Sequence, residues 1–250
     1  MKVAVITPTI GGDHFSTCIR SVQNQTYSDL THYIFLDGEQ HYDKIHPILY
    51  TESGQKTIKT ISLEENVGKG WYGHRVYAAC SFLVNADVIC YLDEDNWFES
   101  NHVETIVDKL KAGYDWTYSF RKIYNKDGEF ICEDNCESLG KWPVYVNSSI
   151  YHIDTSSFGI KRSVAVAIGH AWYGQWGADR QFFGALKQHF KNFEGTQQYT
   201  SNYRLDGNPK SVTEEFFIQG NSLTLEAYNG EYPWKKKQVI TIGPGISLVE

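Results

Sequence analysis

The stretch Val88-Ile-Cys-Tyr-Leu-Asp-Glu-Asp-Asn96 runs an apolar, β-branched segment straight into three carboxylates. Val88–Leu92 has the composition of a strand buried on both faces of a parallel sheet. Asp93, Glu94 and Asp95 then fall where that strand leaves the sheet, the edge at which open α/β folds bind ligands. In extended chain, side chains two residues apart share a side, so Asp93 and Asp95 point together. Such a pair repels itself unless a proton or a cation neutralises it. Mn²⁺ and Mg²⁺ take oxygen ligands and share a carboxylate or two with substrate phosphates. The chemistry predicted is a metal-assisted hold on a phosphorylated ligand, and the alternative is a solvated acidic turn.

Three further groups fit the same sheet edge. Thr7-Pro8-Thr9 ends the first strand, and Gly11-Gly12 opens the loop beyond it, offering hydroxyl and backbone groups to a base. Asp37-Gly38 ends the second strand, placing a carboxylate for a ribose hydroxyl or a base N–H. Asn66-Val67-Gly68-Lys69-Gly70 leads into a helix carrying Arg75, a partner for a diphosphate or a carboxylate. Each alone is ordinary turn or surface chemistry; their recurrence after consecutive strands points to a nucleotide pocket. The glycine fingerprints of dinucleotide-binding folds and phosphate loops are absent, as is the serine nucleophile elbow.

The elements that must position these residues alternate in the first half. Strands are predicted at Val3–Ile6, Tyr33–Leu36, Thr57–Leu63 and Val88–Leu92. Helical i, i+3, i+4, i+7 spacing links Phe15, Cys18, Ile19 and Val22, and later Val76, Ala79, Cys80 and Leu83, then Val103, Ile106, Val107 and Leu110. Strand–helix alternation predicts a mostly parallel α/β sheet flanked by helices. After Asp115 the pattern changes to a hairpin around Asp127-Gly128, a region rich in Trp, Tyr, Ser and Gly through Gly177, a helix over Asp179–Phe190 and a late strand at Val239–Ile242.

Composition narrows the function. The net charge of −7 opposes a general nucleic-acid binder. No signal peptide and no apolar run long enough to span a bilayer is visible. Cys18, Cys80 and Cys90 fall in apolar patterns, as reduced core thiols of a cytoplasmic protein do. Cys132 and Cys136 flank an acidic loop without the spacing of a zinc site. Lys235-Lys236-Lys237 reads as a solvated turn, with peripheral membrane contact the lesser alternative.

Taken together, VAVITPTIGG, Cys18-Ile-Arg-Ser-Val-Gln-Asn-Gln-Thr-Tyr27, Asp37-Gly38, Asn66-Val-Gly68 with Arg75 and Ala78, and Leu92-Asp-Glu-Asp-Asn96 resemble the family 2 glycosyltransferases with a GT-A fold. The resemblance is close over the first half and looser over the second. It implies a single GT-A-like (Rossmann-like) domain, with residues 1–115 binding a nucleotide-diphospho-sugar and an aromatic-rich half, 116–250, binding the acceptor. It implies base contacts at Thr7 and Asp37, and donor and Mn²⁺ or Mg²⁺ binding at Asp93 to Asp95. Trp176-Gly-Ala-Asp179-Arg-Gln-Phe-Phe183 resembles the acidic motif that opens a helix beside the acceptor, whose Asp is the base in inverting members. Here the usual Glu-Asp pair is Ala178-Asp179, so the base assignment rests on one carboxylate, with a helix cap the alternative that the same residue could also fill.

His152-Ile-Asp-Thr-Ser-Ser-Phe-Gly159 resembles the segment facing donor sugar and acceptor, which brings in Asp154 and Ser156. Trp142, Tyr145, Tyr151, Trp172, Tyr173 and Trp176 are candidates for stacking on sugars, although most such aromatics are core. His152 or His189 is the weakly supported third metal ligand. The expected activity is metal-dependent transfer of a sugar to an acceptor hydroxyl of a saccharide or lipid-linked glycan, with inversion. The rivals are a sugar nucleotidyltransferase, which Thr9-Ile-Gly-Gly-Asp-His14 opposes by lacking a basic residue, and a non-catalytic nucleotide- or carbohydrate-binding module.

Overall fold

Strict alternation of facing side chains in the first strand decides how the chain is layered. The computed structural model describes residues 1–144, 148–207, 211–236, 239–241 and 247–249. In β1 (Val3–Thr9), Val3 and Val5 face one side of the sheet and Ala4 and Ile6 the other, and all four are buried. Both faces must therefore be covered, as parallel strands require. α1 (Phe15–Gln23) and α4 (His102–Lys111) cover the Val3/Val5 side, through Phe15, Cys18, Ile19, Val103 and Ile106. α3 (His74–Leu83), α5 (Arg162–Ile168) and α6 (Ala178–His189) cover the other, through Val76, Tyr77, Val164, Phe182 and Phe183.

β1 lies between β2 (Leu30–Asp37) and β4 (Val88–Tyr91), parallel to both, with Val3 opposite Leu30 on one side and Val88 on the other. β3 (Thr57–Leu63) extends this parallel block beyond β2. The second half continues the same sheet. β8 (Phe158–Lys161) runs antiparallel between β4 and β6 (Trp116–Tyr124), and β9 (Phe193–Arg204) runs parallel to β6. β5 (Trp97–Phe98) closes the far edge, and β7 (Phe130–Glu133) forms the expected hairpin with β6. The order is β3-β2-β1-β4-β8-β6-β9-β5.

The predicted elements form near their expected bounds, and β10 (Val239–Thr241), paired with β11 (Ser247–Val249), covers most of the late strand; Ile242 lies outside the described residues. Three elements form without an apolar signature. α2 (Tyr42–Thr51) buries only Ile45 and contains Pro47. α7 (Glu214–Ala227) buries Phe217, Gly220 and Thr224, too few to mark a helical face. β9 is rich in Thr, Gln, Ser and Asn, and pairing with β6 and β5 overrides its weak intrinsic signal.

One contact sets the spacing of α4 over the sheet. Gly159 lies under Ile106, and a Cβ built there would meet Ile106 Cγ2 at 2.1 Å. We expect Gly159→Ala to destabilise the protein by ~1–3 kcal/mol through overpacking. Ile106→Ala alone should also destabilise, and the double variant should lose less than the sum, a coupling readable in urea unfolding.

Candidate active site

Two adjoining cavities open at the carboxyl ends of the parallel strands. The first, about 670 Å³, is walled by Pro8 and Thr9 at the end of β1, Asp37 at the end of β2, the 66–74 loop, Asp93 to Asn96 after β4, and Thr155 and Tyr203. The second, about 420 Å³, is lined by Arg121, Glu137, His152, Asp154, Trp176, Gly177, Asp179, Arg180 and Phe216. Tyr72, His74, Asp93, Thr155 and Tyr203 line both, so Asp93 stands at the junction.

The 66–74 loop is shaped by Asp37. Its carboxylate accepts the Val67 N–H at 2.8 Å and the Gly68 N–H at 2.9 Å. Residue 68 must be glycine, because a Cβ there would fall 2.3 Å from Asp37 Oδ2. Burial raises the Asp37 pKa, and the two N–H donors oppose that rise. Further along, Arg75 lies 3.8 Å from the Trp71 ring centre and donates to the Val67 carbonyl at 3.4 Å, bracing the loop from behind. Asn66 lines the first cavity with its buried Oδ1 unpartnered.

The carboxylate triplet is held by short-range bonds. Tyr77 donates to Asp93 Oδ1 at 2.8 Å, and Ser156 Oγ lies 3.3 Å from Asp93 Oδ2 while accepting the Asp93 N–H at 3.1 Å. Glu94 accepts from the Thr9 hydroxyl and, at 2.8 Å, from the Gly12 N–H. Burial first, then repulsion from Asp95 and Asp154, drives the Asp93 pKa well above the carboxylate range. Asp95 opens into the cleft, yet the surrounding walls withhold water and Glu94 adds repulsion, raising its pKa to about 6. Charge is stored here that a cation would relieve.

Beneath the second cavity lies an ion cluster. Arg121 of β6, 2% exposed, donates to Asp134 at 2.8 Å, Glu137 at 2.5 Å and Asp154 at 2.9 Å. Against the effect of burial, Arg121 and the backbone N–H donors hold Asp134 below its usual range. For Glu137 and Asp154, burial outweighs Arg121 and raises the pKa. Asp179 is in the first turn of α6, where it accepts the Arg180 N–H at 2.8 Å; the cap position is Gly177. Its Oδ2 lies 3.5 Å from His152 Nε2, and burial keeps that imidazole neutral, with its pKa lowered to about 4.

Most of the expected residues meet here. Pro8, Thr9, Asp37, Asn66, Gly68, Lys69, Asp93, Glu94 and Asp95 line the first cavity, and Asp154, Trp176 and Asp179 the second. Ser156 is buried behind Asp93. Two expectations are corrected in place. Thr7 is fully buried on the face covered by α1, its hydroxyl 2.9 Å from His32 Nε2, and does not reach the cleft. Arg75 lines neither cavity, being stacked against Trp71 and Tyr173.

Of the two suggested third metal ligands, His152 faces Asp179, and His189 is exposed at the end of α6. Trp172 is core, stacked on Phe182 at 4.4 Å, and Trp142 packs on Trp234. Tyr151 sits under Lys187 and Tyr173 against Trp71, while Tyr145 lies outside the described residues. Sequence reading missed Tyr72, His74, Arg121, Glu137 and Tyr203. Only Arg121 left a signal, as a charge that continues the polar alternation Thr117, Ser119, Arg121 of β6.

The profile described as Glycosyl transferase family 2 matches residues 5–182, and the chain belongs to that family. No curated protein matches the chain by sequence. Among solved structures, residues 1–349 of S. aureus TarS in complex with UDP-GlcNAc give a TM-score of 0.64 at 14% identity, over 91% of this chain and 66% of that one. The TarS 1–349 complex with UDP gives 0.63 at 14% identity, over 91% and 65%. The chain thus spans just under two-thirds of those TarS chains, and the likeness is one of GT-A fold.

Two outcomes follow from the charges. Arg121→Met should cost ~3–5 kcal/mol in denaturant unfolding, because three buried carboxylates lose their counter-charge. Asp95 has a raised folded pKa, so its contribution to stability is full below the unfolded value near 3.8 and is lost as pH rises through about 6. Asp95→Asn should therefore melt higher than wild type at pH 7.5 in chelator, on the order of 2 °C once screening is allowed for, and equal it near pH 4. Adding Mn²⁺ with UDP should reverse the order, stabilising wild type only. A variant that still gained Mn²⁺-dependent stability would exclude Asp95 as a metal ligand.

Proposed function

We propose that this chain transfers a sugar from a nucleoside-diphosphate sugar to an acceptor hydroxyl with inversion, depending on Mn²⁺ or Mg²⁺. The observation that carries this reading is the shared junction: Asp93 lines both the cavity bearing the Asp93/Asp95 pair and the cavity bearing Asp179. One reacting bond can lie between donor and base only in such an arrangement. The UDP and UDP-GlcNAc complexes of the TarS structures make a UDP-sugar the first donor to try.

The first cavity is read as the donor half and the second as the acceptor half. Thr9, Asp37, Asn66, Gly68 and Lys69 contact the nucleotide, with the unpartnered Asn66 Oδ1 free to accept from it. Asp93 and Asp95 suit a hard divalent cation, being two mutually repelling carboxylates on one cavity wall. Among the described residues no third His, Cys, Asp or Glu completes a cluster, so water and diphosphate oxygens would fill the other positions. When bound, the cation neutralises charge developing on the departing diphosphate.

Asp179 acts as general base. It takes the proton of the acceptor hydroxyl as the new C1–O bond forms and the C1–O bond to diphosphate breaks. Arg180, beside it, and Ser156, behind Asp93, hold the two carboxylates in place. A cytoplasmic location remains part of the proposal; among the described residues no helix is long and apolar enough to cross a membrane.

The nucleotidyltransferase and binding-module rivals predict no sugar transfer, so the base is the point to test. Asp179→Asn keeps an oxygen for the Arg180 N–H and should leave melting temperature and UDP affinity near wild type. Sugar transfer from UDP-GlcNAc to a saccharide mixture, followed by UDP release, should fall by ~10²–10⁴. Transfer at the wild-type rate would move the base elsewhere, with Asp154 and Glu94 next in line.

A further inference from the structure

The second cavity has more carboxyl groups than the transfer chemistry requires. Asp93, Glu137, Asp154 and Asp179 line it against Arg121 and Arg180, and the latter already lies 3.7 Å from Glu137. His152, 4% exposed and uncharged, lines the same cavity, and its Nδ1 has no hydrogen-bond partner. At the rim stands Trp176, 72% exposed, with the Arg180 guanidinium 5.2 Å from its ring centre. A soluble domain gains nothing in stability from an indole so exposed.

These features suit one class of ligand. A pyranose offers a C–H face to an indole and hydroxyls that donate to carboxylates or pair with an imidazole nitrogen. A phosphate or carboxylate on the acceptor would add negative charge beside these walls, a like-charge juxtaposition that disfavours binding. We propose that the second cavity selects an uncharged saccharide as acceptor, one ring lying on Trp176 and its hydroxyls facing Asp179 and His152, and rejects phosphorylated and uronic-acid sugars. The inference rests on the glycosyltransferase reading and specifies its acceptor class.

The experiment is saturation-transfer NMR on the full chain with Mn²⁺-free UDP present. The probes are the methyl glycosides of glucose, galactose and N-acetylglucosamine, with their 6-phosphates. At least one neutral glycoside should bind, and its 6-phosphate at least tenfold more weakly, with the difference shrinking as salt is raised. Trp176→Ala should abolish the neutral signal and Trp176→Phe keep part of it, both retaining the wild-type melting temperature because the side chain is exposed. Binding by none of the neutral glycosides, equal binding of a 6-phosphate, or an unchanged signal from Trp176→Ala overturns the proposal. A separate melt with UDP-GlcNAc tells the two readings apart. Stabilisation there with any of the adverse NMR results sinks only the acceptor class, whereas no stabilisation by UDP-GlcNAc or any other nucleoside-diphosphate sugar in the presence of Mn²⁺ sinks the sugar-transfer reading.

Discussion

One buried guanidinium organises both cavities. Arg121 reaches from β6 to Asp134 and Glu137, in the loop after β7, and to Asp154, in the segment before β8. Asp154 also accepts the Ser156 N–H at 3.0 Å, and Ser156 is bonded to Asp93. A chain of charge-assisted bonds thus runs from the floor of the second cavity to the carboxylates of the first. Arg121 can do this because its planar fork offers several donors in fixed directions. The ring of Tyr203, 4.4 Å away, covers it. Charges buried this way add little net stability, because desolvation offsets their attraction, but they fix one arrangement of three chain segments.

The electrostatics of the site follow from the same excess of carboxylates. Arg121 faces three carboxylates, and Asp93 feels the charges of both Asp95 and Asp154. Burial and mutual repulsion raise the pKa values of Asp93, Asp95, Glu137 and Asp154 together, the kind of perturbation that clusters at functional sites. The wall opposite is set by backbone geometry. Asp37 pins the amides of Val67 and Gly68, and Arg75 pins the loop's far side, so side chains expected to touch the nucleotide also build the surface it would meet.

Much of this architecture was legible beforehand. The buried parallel strands announced themselves as apolar runs, and helices α1, α3 and α4 as amphipathic spacing, because each buries an apolar face against the same sheet. The carboxylates at Asp93 to Asp95 and the residues closing β1 and β2 were legible for a related reason. A parallel sheet forces every strand to end at one edge, so residues after successive strands must meet. The aromatics were not sorted in advance: Trp172 and Trp176 are four residues apart, yet one is core and the other faces solvent, a difference that only packing under α6 decides.

What the sequence alone determined is the fold class, the family and the carboxylate pair, since local pattern and sheet topology carry those. Tertiary structure decided that Thr7 turns inward to His32, that Asp37 and Arg75 brace a loop, and that His152 meets Asp179. It also joined Arg121 to partners 13, 16 and 33 residues away. No local periodicity encodes such pairings. They arise because β6, β8 and the loop after β7 converge at one place, where a buried charge must find its counter-charges or the fold would not form.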